Sequence, residues 1–429
     1  MGGDRSTGHL SRMGVSGAFL LIMTLGYMVY AADRTVLSAV LAPLASSLAL
    51  SNTQIGWLSA AQYIGVTCVV FAAGHLSDRF GRWPVLILGL SVFTAFTWLI
   101  GLATSFDQAF AFRLFSGFGE GLFWPVAMAS VAKYFRGRKG LALGLFYVGF
   151  DAGSVAGLSI GGIAYSLAGS WRPAFFVAPS LGLVVIAGAL VARKRLASAG
   201  QGNVGLGLRR DALQLLRKRN VIPIMVFALL ATWASVWQVV FLPYYFFKVM
   251  NFTVLTAALL SSLVTVAGAC GKVVLGGLSD TVPRNRLLMA VTFATFLAYA
   301  LFFSSLGFAL DMAGALLMSF FSSSIFPVVQ SLMSDSAASR PFAISIEGEG
   351  GDGGRPAYDL TGSALGLSTS AQSVATIFSP LISASLFTLG VGKAVALDAM
   401  IPIALAFLVA VFLVEPRQRP KRATAVLEP

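Results

Sequence analysis

The sequence predicts an all-α integral membrane protein with twelve transmembrane helices in two pseudo-symmetric six-helix bundles. Of its 429 residues, 57% are hydrophobic and only 11% are charged, whereas about a quarter of the residues in soluble proteins carry a charge. Apolar segments of about 20 residues, enough to cross a bilayer, recur along the chain. Lipid gives backbone groups no hydrogen-bond partner, and segments such as 85–104 lack the alternating polarity of barrel strands. Helices are therefore predicted.

The apolar segments and the loops between them set the predicted organisation. The predicted helices are residues 15–46, 52–75, 83–104, 107–134, 139–167, 172–193, 221–248, 254–278, 286–304, 307–333, 361–387 and 392–414. The predicted units are an N-terminal bundle (1–195), a cytoplasmic central loop (196–219), a C-terminal bundle (220–416) with an insertion near 339–360, and a cytoplasmic tail (417–429).

The basic residues predict the orientation. With the N-terminus in the cytoplasm, the 30 Lys and Arg lie in inside segments, except for three outside and three within spans. Those six are Arg172, Lys248 and Lys393, and Arg34, Arg113 and Lys272. This asymmetry fits the positive-inside rule. We expect an integral protein of the bacterial inner (plasma) membrane, with both termini cytoplasmic and no cleaved signal peptide.

Composition also excludes some functions. A net charge of +13 is compatible with nucleic-acid binding, but the cytoplasmic loops account for it, so no nucleic-acid partner is expected. The chain has two histidines and no metalloprotease, Walker or Cys-His pattern. We therefore expect no enzyme activity, no metal and no cofactor. We also expect a monomer.

Two hydrophilic segments leave alternatives open. The basic central loop includes 208–218, which fits either an amphipathic helix on the inner leaflet or a solvated linker. The acidic, Gly-rich segment 339–360 fits either a disordered insertion or a loop that regulates or contacts a gate.

An internal repeat is visible in the sequence. Gly-His-Leu-Ser-Asp at 74–78 recurs as Gly-Gly-Leu-Ser-Asp at 276–280, and the same offset relates Cys68 to Cys270 and Pro125 to Pro327. Repeated halves are typical of secondary transporters, which bind substrate between the repeats near the bilayer midplane. The repeat therefore predicts a two-lobed carrier.

The segment 74–82 resembles the signature of the major facilitator superfamily, and the resemblance covers essentially the whole chain. It implies two bundles around a cavity that opens alternately to either side. We interpret the signature residues and their repeat as a charge latch that holds one state shut; a charged turn obeying the positive-inside rule is the alternative. The latch residues are Gly74, Asp78, Arg79, Arg82 and Asp280.

A closer resemblance is to the anion:cation symporter branch, which includes bacterial sugar-acid and vesicular organic-anion transporters. It is carried by Tyr30, Asp33 and Arg34 in the first helix and by Arg113 and Glu120 in the fourth. Bacterial relatives of the spinster lipid transporters share a similar Asp-Arg pair and helix-4 Glu. The usual Gln and Pro of the second helix are absent from 65–73.

Six ionisable residues lie within predicted spans, where each costs at least ~2.5–3.5 kcal/mol at mid-bilayer. They are Asp33, Arg34, Arg113, Glu120, Asp151 and Lys272, whereas Asp311 and Asp398 are expected to be solvated near span ends. Such groups should face one another or a wet cavity. Lys272 is expected to snorkel or to pair.

The first four of these charges predict one neutral polar site. Arg113 and Glu120 are seven residues apart, which places them on one helix face about 10.5 Å apart. A proton on Asp33 or Glu120 would leave a positive centre that can bind a carboxylate, which arginine binds with two parallel hydrogen bonds. We assign proton coupling to Asp33 and Glu120, and substrate binding to Arg34 and Arg113. Buried structural salt bridges are the alternative.

Other polar and aromatic residues within spans complete the predicted substrate site. They are Tyr30, Tyr147, Asp151, Trp237, Gln238 and Gln372; for the tryptophan, packing is the alternative. We hypothesise a symporter for a small organic anion, driven by the proton gradient. The alternative is an exporter of amphipathic drugs or lipids by proton antiport. Uptake symport would make the outside medium alkaline, and efflux antiport would not.

Overall fold

The computed structural model describes residues 4–135, 139–196, 216, 218, 220–279, 281–304, 306–338 and 361–413. The described residues form twelve α-helices and one short 3₁₀ segment, Leu386–Leu389. The helices are α1 (Asp4–Ser47), α2 (Asn52–Phe80), α3 (Arg82–Ile100), α4 (Phe106–Tyr134), α5 (Lys139–Ala168), α6 (Ala174–Leu196), α7 (Val221–Lys248), α8 (Val254–Leu278), α9 (Arg284–Phe302), α10 (Phe308–Ala338), α11 (Thr361–Ser385) and α12 (Val391–Val411). The predicted all-α fold of twelve helices is confirmed.

The helix boundaries follow the internal repeat. The first residues of α2 and α8, of α3 and α9, and of α4 and α10 are each 202 residues apart. From α5 and α11 onward the spacing changes, because the first residues of these two helices are 222 residues apart. The two halves are therefore built to one plan, with extra residues between α10 and α11.

Several helices are longer than predicted. The first helix begins at Asp4 rather than at residue 15, α2 continues to Phe80, and α10 continues to Ala338. Among the described residues, nine helices are long and apolar enough to cross a membrane by length and composition. Helices α2, α4 and α12 are not among these nine, and α2 and α4 carry buried polar side chains such as Gln62 and Glu120. The polar side chains of α2 and α4 therefore face other helices rather than lipid.

Helix α5 packs against α1 through a row of glycines. A Cβ on Gly153 would overlap the carbonyl oxygen of Met28, and one on Gly157 would overlap that of Ala32. Small residues at a spacing of four allow helices in a membrane to approach closely. This contact fixes the position of α1 at Asp33 and Arg34.

The halves touch at the end of the bundle where α1, α3, α5 and α7 finish. There, Ser159 on α5 and Ser262 on α8 have hydroxyl oxygens 3.2 Å apart. On the same side, a Cβ on Gly56 of α2 would lie 3.0 Å from the Cβ of Ala384 on α11. We call this the closed end.

The other end, where α2, α4, α6, α8 and α10 finish, we call the basic end. Among the described residues, no atom of another helix lies within 4 Å of the place a Cβ would take on Gly74 of α2 or Gly276 of α8. At these two positions of the basic end, the described parts of the halves are therefore not in contact. The predictions for the central loop, the insertion at 339–360 and the tail fall on residues that lie wholly or mostly outside the described ones.

Candidate functional site

A cavity of about 340 Å³ lies between the two halves, at the middle of the helices. Its lining includes Tyr27, Tyr30, Arg34, Tyr63, Trp124, Tyr147 and Phe150 from the first half, and Thr232, Ser235, Lys272, Ser322, Ser323, Phe326, Thr369, Gln372, Ser373 and Thr376 from the second. The first half thus contributes most of the aromatic rings, one arginine and two threonine hydroxyls, and the second contributes seven hydroxyls, seven apolar side chains, one amide and one lysine.

Arg34 is the cation that the first half presents to the cavity. Its guanidinium carbon lies 4.6 Å from the ring centre of Tyr30 and 5.0 Å from that of Tyr63. Aromatic faces at these distances attract a guanidinium group. Its side chain retains 16% exposure, so the rings hold the arginine at the wall and leave part of it accessible to a ligand.

Glu120 lies directly behind Arg34. Arg34 Nε donates to Glu120 Oε2 at 3.0 Å, and the glutamate side chain is fully buried. The amide nitrogen of Gln62 donates to the other carboxylate oxygen at 2.5 Å and to Asp33 Oδ2 at 2.9 Å. Gln62 therefore joins the two carboxylates into one network.

Asp33 and Arg113 form a second ion pair, buried behind the first. Arg113 donates to Asp33 Oδ1 at 3.5 Å, to the Asp33 carbonyl at 3.0 Å and to the Arg34 carbonyl at 3.2 Å. Thr97 and Ser116 also donate to the Asp33 carboxylate. With donors on both oxygens, Asp33 is well compensated for its burial.

Glycines bring α2 and α4 close enough for this network. A Cβ on Gly117 of α4 would overlap the carbonyl oxygen of Gln62, and one on Gly65 of α2 would overlap that of Leu114. The backbones therefore lie in contact, with the amide of Gln62 beside the carboxylate of Glu120 one turn further along α4. The four predicted charges are gathered at one place by this packing.

The predicted site residues separate into those at the cavity and those away from it. Tyr30, Arg34, Tyr147 and Gln372 line the cavity. Arg113 does not; only 3% of its side chain is exposed, because Asp33 and the α1 carbonyls surround it. In this conformation, Arg113 therefore does not reach the cavity.

Two predicted site residues in α7 also do not line the main cavity. Trp237 is completely buried and packs against the rings of Tyr299, Phe302 and Phe303, so it belongs to the core of the second half. Gln238 lies on a smaller cavity of about 80 Å³ beside the main one. It accepts a hydrogen bond from Ser322 at 3.4 Å.

Asp151 and Lys272 pair across the two halves. Lys272 Nζ of α8 lies 2.5 Å from Asp151 Oδ1 of α5. Lys272 lines both cavities, whereas Asp151 lines the smaller one. Of the two expectations for Lys272, pairing is the observed one.

The prediction that Asp398 and Asp311 are solvated was wrong, because both are buried, with exposures of 5% and 8%. Asp398 lies two turns into α12 and faces α7 and α11. Trp233 Nε1 donates to Asp398 Oδ1 at 2.8 Å, and Ser383 donates to Oδ2. This carboxylate therefore joins three helices of the second half.

The predicted latch residues lie at the basic end. Arg82 donates to the carbonyl of Ala129 on α4 at 3.4 Å, while Arg79 lies over the ring of Phe80. At the repeat-related position of Arg82, Arg284 pairs with Asp335 on α10. Asp280 and the side chain of Asp78 lie outside the described part of the structure.

Sequence reasoning missed Gln62, Tyr63 and Thr97. The signal for Gln62 was its place as an amide within an otherwise apolar stretch of α2. The ring of Tyr63 and the hydroxyl of Thr97 are common in membrane helices and gave no comparable signal.

Comparison with known proteins decides the family. The family model for the Major Facilitator Superfamily matches residues 23–347, which is most of the chain. The chain belongs to this superfamily. It is therefore a membrane transporter rather than an enzyme.

Individual relatives match over shorter segments. The chain is 29% identical over 185 residues to the methylenomycin A resistance protein of Bacillus subtilis, covering 43% of this chain and 39% of that one. It is 30% identical over 145 residues to the 3-(3-hydroxy-phenyl)propionate transporter of Escherichia coli, covering 33% and 35%. The matched segments thus span less than half of these relatives.

A solved structure supports the fold over nearly the full length. The bacterial homolog of the human lysosomal transporter Spinster, in an inward-facing and unoccupied conformation, superimposes with a TM-score of 0.74 at 15% identity. The match covers 95% of this chain and 99% of that one. At this identity the match shows the major facilitator fold alone.

Proposed function

We propose that this transporter carries small organic anions with protons, and that a carboxylate group of the substrate binds at Arg34. The observation that carries the proposal is the position of Arg34, at the cavity wall between two tyrosine rings with Glu120 buried behind it. A planar guanidinium is suited to a carboxylate. Tyr30, Tyr147 and Gln372 would surround the rest of the substrate.

Proton exchange in this scheme takes place at Glu120. While Glu120 is ionised, its carboxylate pairs with Arg34 and neutralises the positive charge that an anion would bind. A proton on Glu120 removes that competition, so Arg34 can turn to the substrate carboxylate. We assign this step to Glu120 rather than Asp33, because Glu120 bonds directly to the arginine that lines the cavity, whereas the arginine paired with Asp33 does not line it. Arg113 then acts as the partner that holds Asp33.

The test is transport by the purified protein in liposomes. We expect an outside pH below the inside pH to drive uptake of labelled carboxylates, with substrate addition making the outside medium alkaline. The panel should contain mono-, di- and sugar carboxylates. Absence of uptake for every class of carboxylate would contradict the proposal.

Export of amphipathic compounds by proton antiport is the second candidate. Rings from both halves line the cavity, including Tyr27, Trp124 and Phe326, and one relative is a drug-resistance protein. Arg34→Gln separates the candidates. Loss of anion uptake in this variant supports the first, whereas proton-driven efflux of ethidium that persists in it supports the second.

We also propose that the basic end faces the cytoplasm of a bacterial cell, with both termini inside, and that the protein works as a monomer without a cofactor. The described basic side chains at that end, including Arg79, Arg82 and Arg286, support this orientation under the positive-inside rule. The conformation would then be open inward. A fluorescent-protein fusion after residue 429 should fluoresce, while an alkaline-phosphatase fusion there should be inactive.

The basic end closes, in this proposal, through the latch residues Gly74, Asp78, Arg79, Arg82 and Asp280. The open space around Gly74 and Gly276 leaves room for the two ends to meet. Substituting Arg82 by Gln should therefore slow substrate exchange across the membrane. Binding at Arg34 should be unaffected, and a loss of binding instead would contradict the latch.

A further inference from the structure

The ion pair between Asp151 and Lys272 joins the two halves of the transporter at the cavity. Asp151 belongs to α5 and Lys272 to α8, and their charged atoms are 2.5 Å apart. This pair is on the basic side of the contact between Ser159 and Ser262, which belong to the same two helices. Of the ion pairs between described residues, it is the one that joins the two halves.

Both charges are partly exposed, with side-chain exposures of 32% for Lys272 and 17% for Asp151. Ion pairs that solvent reaches are weak, because water competes for each partner. The lysine also reaches the main cavity, opposite the wall that presents Arg34. An anion in the cavity can thus reach Lys272 without disturbing the core.

The smaller cavity provides alternative partners for Asp151. Its lining includes the hydroxyl groups of Ser154, Ser261, Thr265, Ser319 and Ser323 and the amide of Gln238. Hydroxyl and amide groups can donate to a carboxylate. The carboxylate of Asp151 therefore has donors nearby if it leaves the lysine.

We propose that Lys272 binds an anionic group of the cargo in exchange for Asp151, so that loading the cavity breaks the ionic bond between the halves. The binding part rests on the proposed transport of organic anions. Arg34 and Lys272 then bind the cargo from opposite halves. Release of the bond removes one contact that keeps the closed end shut, which links occupancy to the change of state.

The first test compares removal of each partner. With 3-phenylpropionate and adipate as probes, Lys272→Gln should raise the half-saturation concentration for uptake at least about tenfold. Asp151→Asn removes the competitor, so its half-saturation concentration should equal or fall below that of the unchanged protein. If the pair were only a structural bridge, the two variants would weaken uptake alike, and that result overturns the exchange.

The second test needs no substrate. In a Cys68→Ser, Cys270→Ser background, Ser262→Cys reports opening of the closed end through its reaction with a membrane-impermeant maleimide. Asp151→Asn and Lys272→Gln should each raise the labelling rate several-fold. Ser166→Cys, which is already exposed at that end, is the matched control and should not change.

The two tests separate the two proposals. If the unchanged protein transports no carboxylate and raised labelling persists, the organic-anion function and the exchange step fail while the bond between the halves stands. If transport occurs but labelling is the same in all variants, the bond does not hold the closed end and the coupling inference is overturned.

Discussion

Arg34 reaches the cavity, and the fully buried Glu120 holds it from behind through a single 3.0 Å hydrogen bond. The exposed partner can meet a ligand, and the buried partner cannot. Under the proposed function, a change in the charge of Glu120 would act on the ligand through Arg34. Proton exchange and anion binding can then be separated by experiment.

Glu120→Gln should abolish uptake driven by a pH gradient while retaining substrate exchange at equal pH. Glutamine keeps the size of the side chain and one acceptor oxygen but cannot change its charge, so the variant resembles the protonated carrier. Uptake and counterflow in liposomes measure the two activities. Asp107→Asn, an exposed acid in the first turn of the same helix, should behave as the unchanged protein. Normal gradient-driven uptake in Glu120→Gln would remove this residue from the coupling step.

Arg113→Ala should abolish transport and lower the free energy of unfolding by about 3–5 kcal/mol, because it leaves the buried charge of Asp33 unpaired. Adding Asp33→Asn to this variant should recover much of the lost stability, since it removes that charge. Thermal unfolding of the single and double variants in detergent gives the coupling between the two residues. Additive losses would argue against the pair.

Gly153→Ala and Gly144→Ala should change stability in opposite directions. Both glycines lie on α5, but a Cβ at Gly153 meets the carbonyl of Met28, whereas one at Gly144 meets open space. The first variant should unfold at a lower temperature because it forces α5 away from α1. The second should gain up to about 1 kcal/mol from helix propensity. Equal effects would mean that the glycine row does not position α1.

Trp233→Phe should destabilise the second half by about 1–3 kcal/mol, because it removes the indole donor to the buried Asp398. Trp57→Phe is the control, since Trp57 is 42% exposed. The midpoint of thermal unfolding provides the comparison. A loss of the same size in both variants would indicate that ring volume, rather than the hydrogen bond, determines the effect.

The helices and the clustering of charge could be predicted because they follow from strong physical constraints. A membrane span needs a minimum apolar length, and a charge in lipid needs a partner. The rotation of each helix is set by local contacts instead. For that reason the sequence did not show that Arg34 faces the cavity and Arg113 faces the core, which depends on glycines such as Gly117 meeting a particular carbonyl.

Uncharged partners and residues near helix ends were harder to predict. Gln62 carries no charge, so its burial costs less free energy than that of a charged residue. The sequence therefore gave little indication that it joins Asp33 and Glu120. Asp398 appeared close enough to an end to be hydrated, but neighbouring helices cover it there. Trp237 had two interpretations, and packing against Tyr299 rather than ligand contact is the observed one.

The two copies of the 202-residue repeat carry different side chains at equivalent positions. The residues equivalent to Arg113 and Glu120 in the second copy are Ala315 and Ser322. The buried network that Arg113 and Glu120 form is therefore not repeated there. Variation in the other copy, at wall positions such as Thr232, Ser235 and Thr369, can therefore alter which molecules are accepted without touching that network. Under the proposed function, substitutions at these positions could change the cargo while the residues assigned to proton coupling stay the same.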